Sequence, residues 1–160
     1  MNGQKKVFLT PLTGTATTDK EGVGTIRWEG NKCYKWVLYD DGTGNLDIVA
    51  GDVLVYKAIN YKNSIVTADL TDADTLPVGA GVAVTTVTAD QTYMWMQIKG
   101  PATLSLDPLG SSPGDGDRIS AGATTGGTDK AAVIDPGANL TPIGTTIDDS
   151  AKEVVLDCVF

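Results

Sequence analysis

The sequence predicts an all-β fold, either a small β-sandwich or a small β-barrel, with short strands, long Gly/Thr-rich loops and little helix. First, the stretch Gly24–Gly100 consists of short apolar or alternating segments that are separated by Gly, Asp and Asn. Second, β-branched and aromatic residues fill these segments and favour strands, while 19 glycines favour turns. Third, the segments recur about every ten residues, a spacing that is typical of sandwiches and barrels.

The clearest predicted element is a β-hairpin. Its arms are Thr25–Glu29 and Cys33–Tyr39, and the connection Gly30-Asn31-Lys32 contains two residue types that accept the left-handed backbone conformations of a tight turn. Large apolar side chains occupy both faces of the second arm. We therefore expect this strand to be covered on both sides, or to have an outer face that meets a partner.

The segments around the hairpin follow the same rules. Lys5–Leu9 predicts a short strand that ends at Thr10-Pro11, because proline cannot donate a ladder hydrogen bond. Leu12–Gly24 predicts a loop, and Thr71–Leu76 is one of few places for a helical turn. Exposed loops are expected at Asp107–Gly116 and Gly122–Asp129. The remaining predicted strands are Asp52–Ala58, Ser64–Ala68, Gly81–Val87, Thr92–Lys99, Ala102–Leu106, Asp117–Ser120, Ala131–Ile134, Pro142–Ile147 and Glu153–Val159.

The 160 residues predict a single β-rich domain at 24–160, preceded by an N-terminal arm and loop at 1–23. The arm carries a local positive cluster, Lys5 and Lys6, on an otherwise acidic chain. One interpretation is a solvated terminus with an edge strand. The other is an arm that pairs with the sheet of a neighbouring subunit.

A short motif occurs twice. Gly51-Asp52-Val53-Leu54 is echoed by Gly116-Asp117-Arg118-Ile119, 65 residues further along the chain. Each copy is followed by a glycine-led strand and a closing strand. The echo indicates either two related β-units or a coincidence among many glycine turns, and coincidence is the preferred interpretation.

Charge and composition argue against several classes of function. The formal net charge is −8, whereas nonspecific binding to nucleic acid or to an anionic membrane needs a basic face. The chain has no histidine, so it lacks Ser-His and Cys-His pairs and imidazole ligands for zinc. We therefore expect a protein that is not an enzyme and that uses no cofactor.

Three further features are interpreted conservatively. The acidic turn Asp40–Asp47 resembles a calcium loop but lacks its full spacing and its terminal glutamate, so an ordinary turn and no metal are expected. Cys33 and Cys158 lie in apolar strand patterns and are interpreted as buried free thiols, although the sequence leaves a disulfide undecided. The N-terminus leads into no long apolar run, so we expect no signal peptide and no membrane span. We expect the protein to be made in a cytoplasm.

The aromatic residues support an alternative function. Three tryptophans and five tyrosines would provide a stacking platform for sugars in a carbohydrate-binding or adhesin-like domain. Aromatic residues in strands more often belong to a core or an interface.

The order of four features resembles the capsid decoration, or cement, proteins of tailed bacteriophages. The resemblance covers Gly24–Phe160 and depends on apolar and turn signals. The features are the hairpin that contains Gly24–Trp28 and Gly30–Val37, the turn Ala50–Leu54, the strand Tyr93–Gly100, and a Gly-Asp-Arg-Ile turn with Ile143-Gly144 and an apolar final strand.

The resemblance implies a structural protein that binds the outer surface of a phage head, as a homotrimer at local threefold positions, and clamps adjacent major capsid subunits. The implied partners are the major capsid protein and the chain itself, with no nucleic acid and no membrane. The implied location is the exterior of the virion, after synthesis in the host cytoplasm. The long loop region after Leu106 departs from a simple decoration protein. The candidate contact residues are Lys5, Lys6, Phe8, Trp28 and Trp95.

Overall fold

The protein was described by a computed structural model, which covers residues 6–57, 64–71, 78–105, 113–122, 131–134 and 141–158. These residues contain no helix, and their eleven strands belong to one sheet, so the fold is all-β as predicted. The strands are β1 (Thr15–Ala16), β2 (Ile26–Glu29), β3 (Lys32–Tyr39), β4 (Val53–Tyr56), β5 (Ile65–Thr67), β6 (Gly79–Ala83), β7 (Thr92–Thr103), β8 (Arg118–Gly122), β9 (Ala132–Ile134), β10 (Pro142–Asp148) and β11 (Glu153–Asp157).

Five strands close into a mixed β-barrel. Their order is β3-β5-β4-β6-β7, and pairing between β7 and β3 closes the ring. The β3–β5 pair is parallel, with Leu38 opposite Ile65, and the other barrel pairs are antiparallel. The sequence left a sandwich and a barrel open, and the structure is a barrel.

The strand β7 belongs both to the barrel and to the part of the same sheet that continues outside the barrel, which we call the second sheet. Its first part pairs with β3 and β6, and its last residues pair with β11, which continues into β10, β8 and β9. The change occurs at Gly100, whose φ of +87° favours glycine. The Gln97 side-chain amide donates to the carbonyls of Lys99, Gly100 and Pro101, at 3.1, 3.3 and 2.9 Å. The bend therefore keeps its carbonyl groups hydrogen bonded.

One apolar core extends through both parts of the molecule. It includes Val37, Leu54 and Met96 from the barrel together with Ile143 and Leu156 from the second sheet. A smaller cluster on the outer side of β3 and β7 is formed by Ala16, Tyr34, Trp36 and Trp95.

The predicted hairpin is confirmed as β2 and β3, with Trp28 opposite Cys33. Two other predictions were wrong. The predicted strands Thr92–Lys99 and Ala102–Leu106 are one strand, because the Gly100-Pro101 step bends β7 without ending its pairing. Residues 6–9 of the predicted strand Lys5–Leu9 are not in a strand, because side-chain contacts hold the arm instead.

The loop predicted at Leu12–Gly24 contains the two-residue strand β1, which pairs with β7. The helical turn predicted at Thr71–Leu76 lies outside the described residues after Thr71. The same holds for most of the two predicted loops that follow Leu106.

Candidate functional site: the N-terminal arm and its aromatic base

Two tryptophans form the base of the candidate site. Trp36 on β3 and Trp95 on β7 are cross-strand partners whose rings lie 5.2 Å apart, edge to face, at 62°. Tyr93 stacks on Trp36 with its ring centre 6.3 Å away. Both tryptophans are fully buried, so this outer face of the barrel is covered by other parts of the chain.

The N-terminal arm, defined here as residues 6–12, covers this base. The Phe8 ring lies edge-on to Trp95 at 5.4 Å, and the Arg27 guanidinium lies 4.8 Å from the Phe8 ring centre. Thr10 anchors the backbone from both sides. Its carbonyl accepts from Arg27 at 3.0 Å and from the Trp95 indole at 3.2 Å, and its N–H donates to the Glu21 carboxylate at 2.6 Å.

Polar groups fix the loop that follows the arm. The Lys6 ammonium donates to the Glu21 carbonyl at 3.2 Å and to the Thr25 hydroxyl at 2.9 Å. The Asp19 carboxylate accepts from the Trp36 indole and from the backbone N–H groups of Gly22 and Val23. Burial alone would raise the pKa of Asp19, but these hydrogen bonds lower it overall.

The opposite side of the arm is apolar and exposed. Val7 is 78 % exposed, Leu9 is 71 % exposed, and Pro11 is also exposed. Phe8 and Thr10 alternate with them and point towards the barrel. We call Val7, Leu9 and Pro11 the arm ridge. These three residues lie on one side of one segment, and neighbouring exposed apolar side chains mark a contact surface where scattered ones do not.

The structure brings together three of the five predicted contact residues. Lys6, Phe8 and Trp95 belong to the arm and its base, whereas Lys5 lies outside the described residues. Trp28 follows Arg27 on β2 and therefore points to the opposite face of that strand, where it is 60 % exposed.

The structure corrects the prediction that Trp95 is a contact residue. The sequence marked it as a residue that contacts a partner, and also as a residue that would grip a glycan, but its side chain is fully buried. The arm covers its indole and uses its N–H. Trp95 supports the surface and does not form it.

Sequence reasoning missed the arm ridge and the two charged residues, Glu21 and Arg27, that hold the arm. Val7, Leu9 and Pro11 lie in the stretch Val7–Leu12, which is apolar except at Thr10, so the sequence does not distinguish its exposed residues from its buried ones. Glu21 and Arg27 had no signal either, because their partners on the arm are recognised only once the chain folds back.

The acidic turn places three carboxylates together. Asp40, Asp41 and Asp90 can each bring one oxygen within 4.8 Å of the others. Lys57 lies 2.9 Å from Asp40 and already supplies a positive charge. Burial, together with the neighbouring Asp90 and Asp40, raises the pKa of Asp41. This cluster is a surface turn with its own counter-ion.

The two cysteines are free and buried, as the sequence indicated. Burial raises the pKa of the Cys33 thiol and raises the pKa of the Cys158 thiol to about 12. Neither thiol has the lowered pKa of a nucleophilic cysteine.

Comparison of the chain with protein-family models, with curated proteins and with solved structures finds no match. Among the described residues, no helix is long and apolar enough to cross a membrane.

Proposed function

We propose that this protein is a structural capsid cement protein. It binds the outer surface of a phage head as a homotrimer and clamps adjacent major capsid subunits. The observation that carries the proposal is the arm ridge, because it presents apolar side chains on a segment that is anchored through Phe8 and Thr10. The resemblance of the hairpin, the turn at Ala50–Leu54 and the strand Tyr93–Gly100 to decoration proteins supports the same function.

The physical requirements of a cement protein agree with this architecture. A closed barrel with a continuous core holds its surface rigidly, so little ordering entropy opposes binding. A protein that binds across the boundary between two shell subunits stabilises the assembled state, since its binding free energy is lost when the subunits separate. Many copies on one shell add their effects.

The proposal is tested with DNA-filled heads that lack the protein. We expect the purified chain to co-sediment with them at a fixed stoichiometry and to raise the temperature at which they release DNA. The double variant Val7→Asp/Leu9→Asp should bind at least about tenfold more weakly, because charges replace apolar contacts worth about 1.4 kcal/mol. Val155→Asp is the matched control, since Val155 is a 42 % exposed apolar residue on β11, away from the arm.

The proposal fails if the unaltered chain neither binds the heads nor stabilises them. In that case the carbohydrate-binding alternative is tested by a glycan screen. Trp28→Ala should abolish any glycan binding that the screen finds, because Trp28 is the one of the three tryptophans that solvent reaches.

A further inference from the structure

The strands after β3 form two groups with the same pairing order. In the first group the order is β5-β4-β6-β7, and in the second it is β9-β8-β10-β11. Each position in the first order is matched by the strand four further along the chain. The two groups meet where β7 pairs with β11.

The registers of the two groups also agree residue by residue. The offset between equivalent residues is constant within each strand: 65 for β4 and β8, 67 for β5 and β9, 63 for β6 and β10, and 58 for β7 and β11. A slip of one residue in any strand would break the agreement. The matched pairs include Val53↔Val82 with Arg118↔Thr145, Leu54↔Gly81 with Ile119↔Gly144, Val55↔Gly79 with Ser120↔Pro142, Tyr56↔Val66 with Ala121↔Val133, and Ala83↔Met96 with Thr146↔Val154.

A β-bulge is repeated at the same position. The register shifts between Gly79 and Gly81 in β6 and between Pro142 and Gly144 in β10. Each shift leaves one extra residue, Ala80 in the first group and Ile143 in the second. Bulges are specific local features. A matched pair of bulges is therefore stronger evidence that the two groups are related than a matched strand order is.

The turns before β4 and β8 have the same hydrogen bonds. Asp52 accepts from the Val49 N–H at 2.9 Å, and Asp117 accepts from the Gly114 N–H at 2.8 Å. Both aspartates donate their own N–H to the carbonyl three residues earlier, at 3.1 Å. The preceding glycines have φ values of +94° and +86°. These turns are the repeated Gly-Asp motif, so their shared geometry favours two related β-units over coincidence, which was the preferred interpretation of the sequence.

Two glycines are equivalent for a steric reason. A Cβ on Gly81 would lie 2.4 Å from the Gln97 carbonyl oxygen, and a Cβ on Gly144 would lie 2.2 Å from the Val155 carbonyl oxygen. Gln97 and Val155 are themselves equivalent under the offset between β7 and β11. The same backbone approach therefore excludes a side chain at the same place in both groups.

The register also marks an approximate twofold axis between the groups. Lys99 on β7 lies opposite Asp157 on β11, and these two residues are equivalent to each other. They form an ion pair at 2.9 Å with side chains 32 % and 77 % exposed, so the axis reaches the surface there. An antiparallel pair of equivalent strands is related by a twofold axis.

The inner faces of the groups match, while the outer faces differ. Equivalent inner residues such as Leu54 and Ile119 are buried in both. Outer positions that are buried in the first group, such as Val53 and Gln97, correspond to the exposed Arg118 and Val155 in the second.

One surface region recurs at the same end of each group. In the first group it consists of the exposed Val49 and Ala50 together with Val84, which is half-buried against the Trp36 and Trp95 cluster, and we call these three residues the first rim. In the second it consists of their equivalents Gly114, Asp115 and Ile147, which we call the second rim. A backbone hydrogen bond joins turn and strand end in both, from Gly51 to Ala83 at 2.8 Å and from Gly116 to Thr146 at 2.9 Å. Val49 and Ile147 are each 46 % exposed.

We infer that the groups are two copies of one four-strand unit, and that the chain uses the two rims to engage two neighbouring copies of one partner protein. The rims occupy equivalent positions, and the equivalents Val84 and Ile147 give each rim a branched apolar side chain. Two such rims, related by an approximate twofold axis, fit a partner that offers the same surface twice. The second part of the inference rests on the proposed function, because there the partner is a shell built from identical subunits. Each protomer of a trimer then spans one boundary between two of them.

The test uses three single variants of the full chain and the heads that lack it. Val49→Lys places a charge on the first rim and Ile147→Lys places one on the second. Val78→Lys is the control, because Val78 is 41 % exposed at the opposite end of β6. We expect each rim variant to weaken binding by a similar factor of about ten and the double variant to weaken it by about a hundred, since each rim supplies one linked contact in addition to the arm ridge.

The thermal unfolding midpoint of each free variant is measured first, so that a loss of binding is not a loss of folding. Binding by one rim variant that equals binding by the unaltered chain overturns the inference and leaves the cement function in place. Binding that Val78→Lys weakens as strongly as the rim variants do also overturns it. Failure of the unaltered chain to bind overturns the proposed function and this inference together.

Discussion

At the scale of single residues, Lys35 is the costly feature of the barrel. It shares a face of β3 with the core residue Val37 and is 6 % exposed. Its ammonium donates to the Tyr56 hydroxyl at 3.1 Å and lies 5.0 Å from the ring centre. Burial lowers the pKa of Lys35. A hydrogen bond to a neutral hydroxyl compensates only part of the cost of burying a charge.

We predict that Lys35→Met stabilises the protein by about 1 kcal/mol at pH 7, because methionine fills the same space without a charge. Urea unfolding measures the difference, with exposed Lys20→Met as the control. The folded pKa lies below the ordinary value of 10.5. The unaltered protein therefore gains stability as the pH rises from the pKa of Lys35 in the folded state towards 10.5. The difference in stability between Lys35→Met and the unaltered protein narrows over the same range. A destabilised variant would show that the contact with Tyr56 outweighs the desolvation of Lys35.

At the scale of elements, the sequence predicted strands better than it predicted what covers them. The hairpin was predictable because Gly30-Asn31 lies between two alternating segments. That β7 is one continuous strand was not predictable, because Gly100-Pro101 is a sequence that usually ends a strand. Only the structure shows that the Gln97 amide donates hydrogen bonds to the carbonyl groups at the bend. Trp95 was placed correctly on a strand, but alternation does not show which face an arm 85 residues away will cover.

The glycines of β6 and β10 give a prediction at the same scale. Gly81→Ala and Gly144→Ala should each lower the free energy of unfolding by about 2–3 kcal/mol, because the added methyl group meets a backbone carbonyl of the neighbouring strand. Chemical denaturation measures both.

Gly114→Ala is the matched control for these two variants. A Cβ there comes no closer than 3.5 Å to another residue, so the change should be within about 0.5 kcal/mol. Equal stability of the control and either strand variant would contradict the close approach.

At the scale of the whole molecule, Cys33 and Cys158 report on global unfolding. They are 0 % and 2 % exposed and belong to the continuous core. We predict that a thiol reagent finds almost no reactive cysteine in the native protein at pH 8 and two in urea. The native reaction should follow the rate or population of unfolding. Rapid modification of one thiol in native buffer would contradict this burial, and single Cys→Ser variants identify which one reacts.

The fold class was therefore readable from composition and spacing, whereas the candidate site was readable only in part. Lys6 and Phe8 were predicted together because they lie in one short segment of the sequence, and the structure places both in the arm. The hydrogen bonds of Thr10 with Glu21 and Arg27 form only when the chain folds back, so the sequence did not predict them.

The shared strand β7 has a mechanical consequence. Because one covalent segment runs from the barrel into the second sheet, a pull between these parts is carried along a peptide backbone and not across a seam of side chains. Hydrogen bonds on either side of β7 are then loaded together in shear, so they resist as a group instead of opening one after another. A protein that clamps the subunits of a DNA-filled shell, as proposed for this chain, needs such a continuous backbone connection to carry the load between its two parts.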